Sequence, residues 1–317
     1  MKASTFTFEA PDGVEIFVYE WLPSGKTRAV VQIAHGMAEH AGRYEPAARA
    51  LTERGYAVYA SDHRGHGQSA KSEDELGHFA DQGGWNKVLG DLHQLSGIAK
   101  KRHEEAAFVL FGHSMGSFFT QHFLFAFPGE VDAAVLSGSN GKPGALAAVG
   151  EVAAKLERAR LGPRGKSRLL HNMSFGSFNK PFAPARTELD WLSRDTDVVD
   201  AYVADPRCGF ISSTQLWIDL LSGLKVIGNP KNQARVPNDL PLYLFSGEKD
   251  PVSNQGKGVG SLLQAYRAAG LTDVEQRIYP GARHEMLNET NREEVLTHLG
   301  EWLDRVVEQR ADKLRAA

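Results

Sequence analysis

Three side chains in chain order have the types that acyl transfer needs: the serine of Gly112-His113-Ser114-Met115-Gly116, the carboxylate of Asp250 and the imidazole of His284. A serine hydroxyl is a weak nucleophile at neutral pH and needs a neighbouring base. That base needs an acid to fix its tautomer and offset the charge it acquires. A G-x-S-x-G pentapeptide can present such a serine when a strand runs into it and a helix leaves it. Here the apolar run Ala107-Phe108-Val109-Leu110-Phe111 precedes it, and the helix-like Ser117-Phe118-Phe119-Thr120-Gln121-His122-Phe123 follows. Gly112 and Gly116 let backbone pack tightly around the turn, and the positive end of the helix dipole beside Ser114 favours a developing anion.

The partners follow in the order serine, acid, histidine. Pro241 to Ser246 reads as an apolar strand running into Gly247-Glu248-Lys249-Asp250-Pro251, which places Asp250 at a strand's carboxyl end. Glu248 is the second candidate acid, and a turn cap beside Pro251 is the structural alternative for Asp250. His284 lies in the loop Tyr279-Pro280-Gly281-Ala282-Arg283-His284-Glu285, whereas its competitor His298 falls inside the helical pattern Glu293 to Leu303. The anion formed on the substrate carbonyl needs hydrogen-bond donors. Candidates are the backbone N–H of Met115, directly after the serine, and that of Met37, in Ala34-His35-Gly36-Met37 after the apolar run Val30 to Ile33.

These residues must be positioned by a folded scaffold, and the 317-residue chain is long enough to build one. It opens with a predicted antiparallel hairpin, Thr5-Phe6-Thr7-Phe8 and Glu15 to Trp21 around the turn Pro11-Asp12-Gly13. Buried strands are predicted at Ala29–Ile33, Tyr56–Ala60, Ala107–Phe111, Ala133–Leu136, Leu242–Phe245 and Val274–Tyr279, with helices such as Tyr44–Arg54, Ser117–Phe127 and Glu293–Val307 among them. That alternation implies an α/β fold with a mostly parallel central sheet. Residues 141–236 break it with helix-like sequence and no parallel-strand run, so the expected organisation is a core from 1–140 and 237–317 with a helical cap inserted between. Phe175, Phe178, Phe182, Trp191, Phe210 and Trp217 give that insertion enough apolar surface to floor a pocket, or simply to form its own core.

Together His35-Gly36-Met37-Ala38-Glu39-His40, Arg43-Tyr44, Asp62-His63-Arg64-Gly65-His66-Gly67-Gln68-Ser69, the Gly112–Gly116 turn, Gly247–Asp250 and His284-Glu285 resemble the α/β-hydrolase group of monoacylglycerol lipases and lysophospholipases. The resemblance spans the whole core. It implies a carboxylesterase acting on single-chain lipid esters, with Ser114, Asp250 and His284 as its triad and the Met37 and Met115 amides holding the oxyanion. It also implies a cap that lines an acyl tunnel and touches membrane surfaces. Aminopeptidase and lactonase chemistry on the same fold, and a binding protein with a slow triad, remain open alternatives.

Composition excludes other partners and cofactors. Lys+Arg of 36 against Asp+Glu of 39 gives a net charge of −3, which draws the chain neither to nucleic acid nor to an anionic membrane. The single cysteine, Cys208, permits no internal disulfide. His63-Arg64-Gly65-His66 invites a metal, but no H-E-x-x-H accompanies it and a glycine-rich turn explains it, so no metal and no cofactor is expected. Gly165-Lys166-Ser167 lacks the leading glycine of a phosphate loop, and the basic residues Arg158, Arg160, Arg164, Lys166 and Arg168 read as a solvated face or a contact for anionic head groups. Without a secretory apolar segment or a membrane-length apolar run, the expectation is an unprocessed cytoplasmic protein whose membrane contact is peripheral and transient.

Overall fold

The hairpin forms as β1 (Lys2–Glu9) and β2 (Glu15–Leu22), antiparallel and in register from Lys2 opposite Leu22 to Glu9 opposite Glu15. Its turn closes through the Ala10 N–H on Val14 O at 2.8 Å, with Gly13 at φ +81° where a side chain would be strained. A computed structural model of the chain describes residues 1–141, 144 and 146–316. Six further strands complete the sheet: β3 (Ala29–Ala34), β4 (Tyr56–Ser61), β5 (Ala107–His113), β6 (Ala133–Ser137), β7 (Leu242–Gly247) and β8 (Val274–Tyr279). Their order is β1-β2-β4-β3-β5-β6-β7-β8, antiparallel at the two pairs made by β2 and parallel elsewhere.

Every residue from β3 to β7 is buried, as the near-continuous apolar runs require of strands covered on both faces. Successive side chains point to opposite faces, so Val30, Phe108, Leu110, Leu136 and Leu244 enter one core while Val31, Val58, Val109 and Phe245 enter the other. The second is covered by α1 (Glu45–Glu53), while α2 (Gly84–Arg102) and α3 (Met115–Ala126) cover the first. At the edge strand β8 the expectation of two covered faces fails: Glu275, Gln276 and Arg277 are exposed, and only Val274 and Tyr279 are buried.

Between β6 and β7 run the helices α4 (Leu146–Leu161), α5 (Arg168–Phe175), α6 (Thr196–Ala204) and α7 (Thr214–Ile227) and the short α8 (Pro230–Gln233), with no strand among the described residues. Ser167, Asp195 and Ser213 cap α5, α6 and α7, each accepting a backbone N–H two or three positions on. Helix α9 (Lys257–Ala268) joins the first face and α10 (Arg292–Ala316) the second. Helix α10 runs nine residues past the predicted Val307, where Arg310 ties it to Asp132 at 2.6 Å.

Helix α7 packs the segment onto α2 and α3. A Cβ at Gly223 would lie 2.3 Å from the Trp85 ring, which stacks on Phe119 of α3 at 4.1 Å and cannot retreat. Gly223→Ala is therefore expected to destabilise the protein by about 1–3 kcal/mol, the usual scale of overpacking. Urea denaturation checks this, and an unchanged midpoint would mean that α7 can lift away freely.

Candidate active site

Strand β5 delivers Ser114 into a backbone conformation, φ +52° and ψ −122°, that side chains rarely adopt and that costs on the order of 1–3 kcal/mol. Close packing holds it there. A Cβ on Gly116 would sit 2.0 Å from Ala34 O, and one on Gly112 would sit 2.5 Å from Gly116 O. Glycines at both positions let the elbow press against the end of β3, while the Ser114 N–H donates to Ser137 O at 2.9 Å. Ser114 is partly exposed at the start of α3. The Met115 N–H, at the first position of that helix, belongs to the amides a helix cannot satisfy internally.

Asp250 sits in the turn beyond β7 and is fully buried. Its Oδ1 is 2.9 Å from His284 Nδ1 and also accepts the Val252 N–H at 2.9 Å, while Oδ2 accepts the Ser246 hydroxyl at 2.6 Å. With Nδ1–H donating to Asp250, Nε2 of His284 is left as the basic nitrogen. Burial works to lower the His284 pKa, but the Asp250 carboxylate and its hydrogen bond outweigh it, leaving the pKa above the usual 6.5. Burial likewise works to raise Asp250, and His284 outweighs that, holding the carboxyl below its usual range. A Cβ at Gly138 would fall 2.8 Å from the imidazole, so a glycine there gives the ring its space. The rival residues lie elsewhere: Glu248 is exposed and accepts the Gly281 N–H, and His298 stacks on Tyr279 from α10.

Met37 follows β3 on the loop that crosses the elbow, where a Cβ at Gly36 would lie 3.2 Å from that of Ser114. Among the described residues, neither the Met37 nor the Met115 amide donates to a protein acceptor. Three buried histidines shape the loop's start: the His63 N–H donates to His35 Nε2 at 2.9 Å, and His63 Nε2 lies 3.0 Å from His35 O, with His66 packed beside both. Burial pushes His63 down to about 3 and His66 to about 4, so both are neutral. The continuation of the loop is tied by charge. The Gly36 N–H donates to Glu39 Oε1 at 2.6 Å, and Arg43 reaches Glu39 Oε2 at 2.6 Å and both Glu285 oxygens at 2.7 and 2.6 Å. Burial and the Glu285 charge push Glu39 up, whereas the bidentate Arg43 pair overcomes the burial of Glu285 and holds it low.

Ser114, His284 and Met37 line one cavity of about 1100 Å³. Of the aromatic side chains singled out in the sequence, Phe175, Trp191 and Phe210 line it, and Leu189, Leu192 and Val203 add apolar wall. Phe178, Phe182 and Trp217 do not. Phe178 packs edge-on against Trp191 at 5.0 Å, Phe182 lies under the Arg283 guanidinium, and Trp217 of α7 is buried in the core, its ring 5.8 Å from that of Phe175. Four of the five basic residues are drawn off by local partners, Arg158 by Gln215, Arg160 by Glu157, Arg164 by Asp81 and Lys166 by Leu76 O, while Arg168 is exposed at the start of α5. Glu39, Arg43, Glu285 and Tyr202 carry no catalytic signature of their own. Glu39, Arg43 and Glu285 stand among the motif residues that carry the family resemblance, whereas nothing in the sequence singled out Tyr202.

The His284 shift sets a pH dependence. A base must be neutral, so kcat/KM for a soluble ester is expected to rise with pH through a pKa above 6.5. Asp250→Asn removes the raising partner and leaves burial, so the acid limb should move to lower pH while kcat drops by about 10⁴-fold, as loss of the orienting acid does elsewhere. A pH–rate profile with the acid limb unmoved in the variant would contradict this assignment.

Residues 25–291 match the family described as "Serine aminopeptidase, S33". The chain is 32% identical over 309 residues to a monoacylglycerol lipase of Mycolicibacterium smegmatis, covering 95% of this chain and 96% of that one. It is 27% identical to the monoglyceride lipase of Rattus norvegicus, over 92% of this chain and 88% of the relative. Among solved structures, a thermostable carboxyl esterase from Bacillus coagulans in complex with glycerol superposes with a TM-score of 0.89 at 25% identity, over 97% of this chain and 99% of that one. The chain is a member of the S33 family of α/β-hydrolases and, within it, of the monoacylglycerol lipase group.

Proposed function

We propose that the protein is a serine carboxylesterase that hydrolyses monoacylglycerols. The observation that carries this reading is the strained Ser114 opening, beside the Asp250–His284 pair and two unpartnered amides, into a cavity where Phe175, Leu189, Trp191, Leu192 and Phe210 stand among polar residues such as Asn172, Asn179 and Thr187. Its relatives' names agree with it. His284 Nε2 takes the Ser114 proton as Oγ attacks the ester carbonyl, and the Met37 and Met115 N–H groups hold the tetrahedral oxyanion. His284 returns the proton to the departing alcohol, leaving an acyl-enzyme. Water, deprotonated by His284, then releases the fatty acid and restores Ser114.

Residues 141–236 act as a cap in this reading, closing the cavity from above with α5, α6 and the loops beside them. Val149, Val152 and Leu156 recur along one side of α4, each more than half exposed, and Leu169 and Met173 continue an exposed apolar surface on α5. That surface suits contact with a lipid aggregate that delivers substrate. An aminopeptidase reading draws little from the cap acids: Asp190 accepts Arg186 and Thr187 amides, Asp195 caps α6, Asp200 pairs with Arg186 and Asp197 lies off the cavity, which leaves Glu188 as the cap acid on the cavity wall.

The test compares monoacylglycerols of several chain lengths with a matched lysophosphatidylcholine, using Ser114→Ala as the blank. Glycerides are expected to be cleaved faster, and the variant to lose all turnover and all labelling by a fluorophosphonate. A labelled, active variant would end the proposal. For the cap surface, Val152→Glu with Leu156→Glu should weaken sedimentation with phosphatidylcholine–monoolein vesicles by at least about tenfold, given the transfer energy of two large apolar side chains. Hydrolysis of soluble p-nitrophenyl acetate should be unchanged, and equal vesicle binding would show that this face does not meet lipid.

A further inference from the structure

Ala38, next to Met37, is held at φ +56°, in the left-handed region that disfavours a side chain. Its carbonyl receives two donors, and both come from the cap: the Tyr202 hydroxyl of α6 at 2.6 Å and the Gly209 N–H at 2.9 Å. A third link runs alongside, where His40 Nε2 lies 2.9 Å from Asp205 Oδ2. The Tyr202 ring is buried beneath the Arg43 guanidinium at 4.7 Å, and Arg43 in turn holds Glu39, whose Oε1 accepts the Gly36 N–H. The two residues flanking Met37 are thus both tied, Gly36 through its N–H to the core residue Glu39 and Ala38 through its carbonyl to the cap.

We infer that Tyr202 is a positioning residue of the oxyanion hole: through its hydroxyl on Ala38 O the cap sets the direction of the Met37 N–H. Seating of the cap and assembly of the oxyanion site are then a single event. A cap that merely walled the cavity would need no hydrogen bond to the carbonyl of a strained loop residue. The inference rests on the proposed esterase reading and goes beyond it, because it gives the cap a part in the chemical step whatever the substrate.

Tyr202→Phe keeps the ring and its Arg43 contact and removes only the hydroxyl. The variant is tested on p-nitrophenyl acetate, which has neither glycerol nor a long chain, and on a long-chain monoacylglycerol. For both, kcat should fall by the same factor, about 10- to 100-fold and short of the 10²–10³ lost when a donor is deleted outright. KM for the acetate should stay put, and the inhibition constant of a trifluoromethyl ketone, which forms the tetrahedral adduct, should rise by the same factor. Asp205→Asn, outside the cavity wall, should lower both rates in the same proportion to a smaller extent and serves if Tyr202→Phe does not fold. A loss confined to the glyceride, or a kcat loss without a change in ketone affinity, overturns the inference. Failure of the esterase reading itself is distinguishable, because it appears as activity surviving in Ser114→Ala.

Discussion

A largely buried guanidinium keeps the parts of the site in register. Arg43, sandwiched between Glu39 and Glu285, joins the loop after β3 to the loop after β8, two segments delivered by opposite halves of the chain. Removing one member of such a buried ionic set leaves the rest uncompensated and typically costs about 3–5 kcal/mol. Glu39 transmits the constraint to Gly36 and so to the Met37 amide, and Glu285 transmits it to the adjoining His284. The strained turn at Ser114, packed through Gly116 against Ala34, completes the arrangement, because the same strand end carries the oxyanion loop.

Electrostatics then separate one histidine from its neighbours. His35, His63, His66 and His113 are all buried near the site, and burial drives each one down, His63 and His113 to about 3. They are neutral hydrogen-bonding and packing groups at any pH at which an esterase works. His284 is as buried as they are, yet the Asp250 carboxylate reverses the sign of its shift. A single carboxylate contact therefore distinguishes the base in the mechanism from four neutral rings buried around it.

Much of this was legible in the sequence. The strands announce themselves because β3 to β7 are covered on both faces and must be apolar throughout, and the G-x-S-x-G turn is legible because its glycines answer a packing demand at Ala34 O and Gly116 O. Asp250 and His284, which the spacing places at strand ends on one rim, do meet in a hydrogen bond. Helix α2 was hard to see, since Gly84, Gly90 and Gly97 interrupt its pattern, and only Gly84, whose Cβ would lie 2.5 Å from the Asp219 carboxylate of α7, answers a packing demand. The fate of the cap aromatics was not legible either. Phe175 and Trp191 reach the cavity while Phe178 and Trp217 face away, a difference decided by the path of short helices over the core and not by residue type. The tie between Tyr202 and Ala38 spans 164 positions and leaves no periodic trace.

The most direct test of the account is the crystal structure of the protein inactivated by an alkyl phosphonate, a stable mimic of the tetrahedral intermediate. The account predicts phosphorus bonded to Ser114 Oγ, the alkyl chain in the cavity beside Phe175 and Trp191, and the phosphonyl oxygen at about 2.7–3.1 Å from the Met37 and Met115 nitrogens, with Tyr202 still on Ala38 O. A phosphonyl oxygen turned to solvent, or an adduct on any other residue, would contradict it.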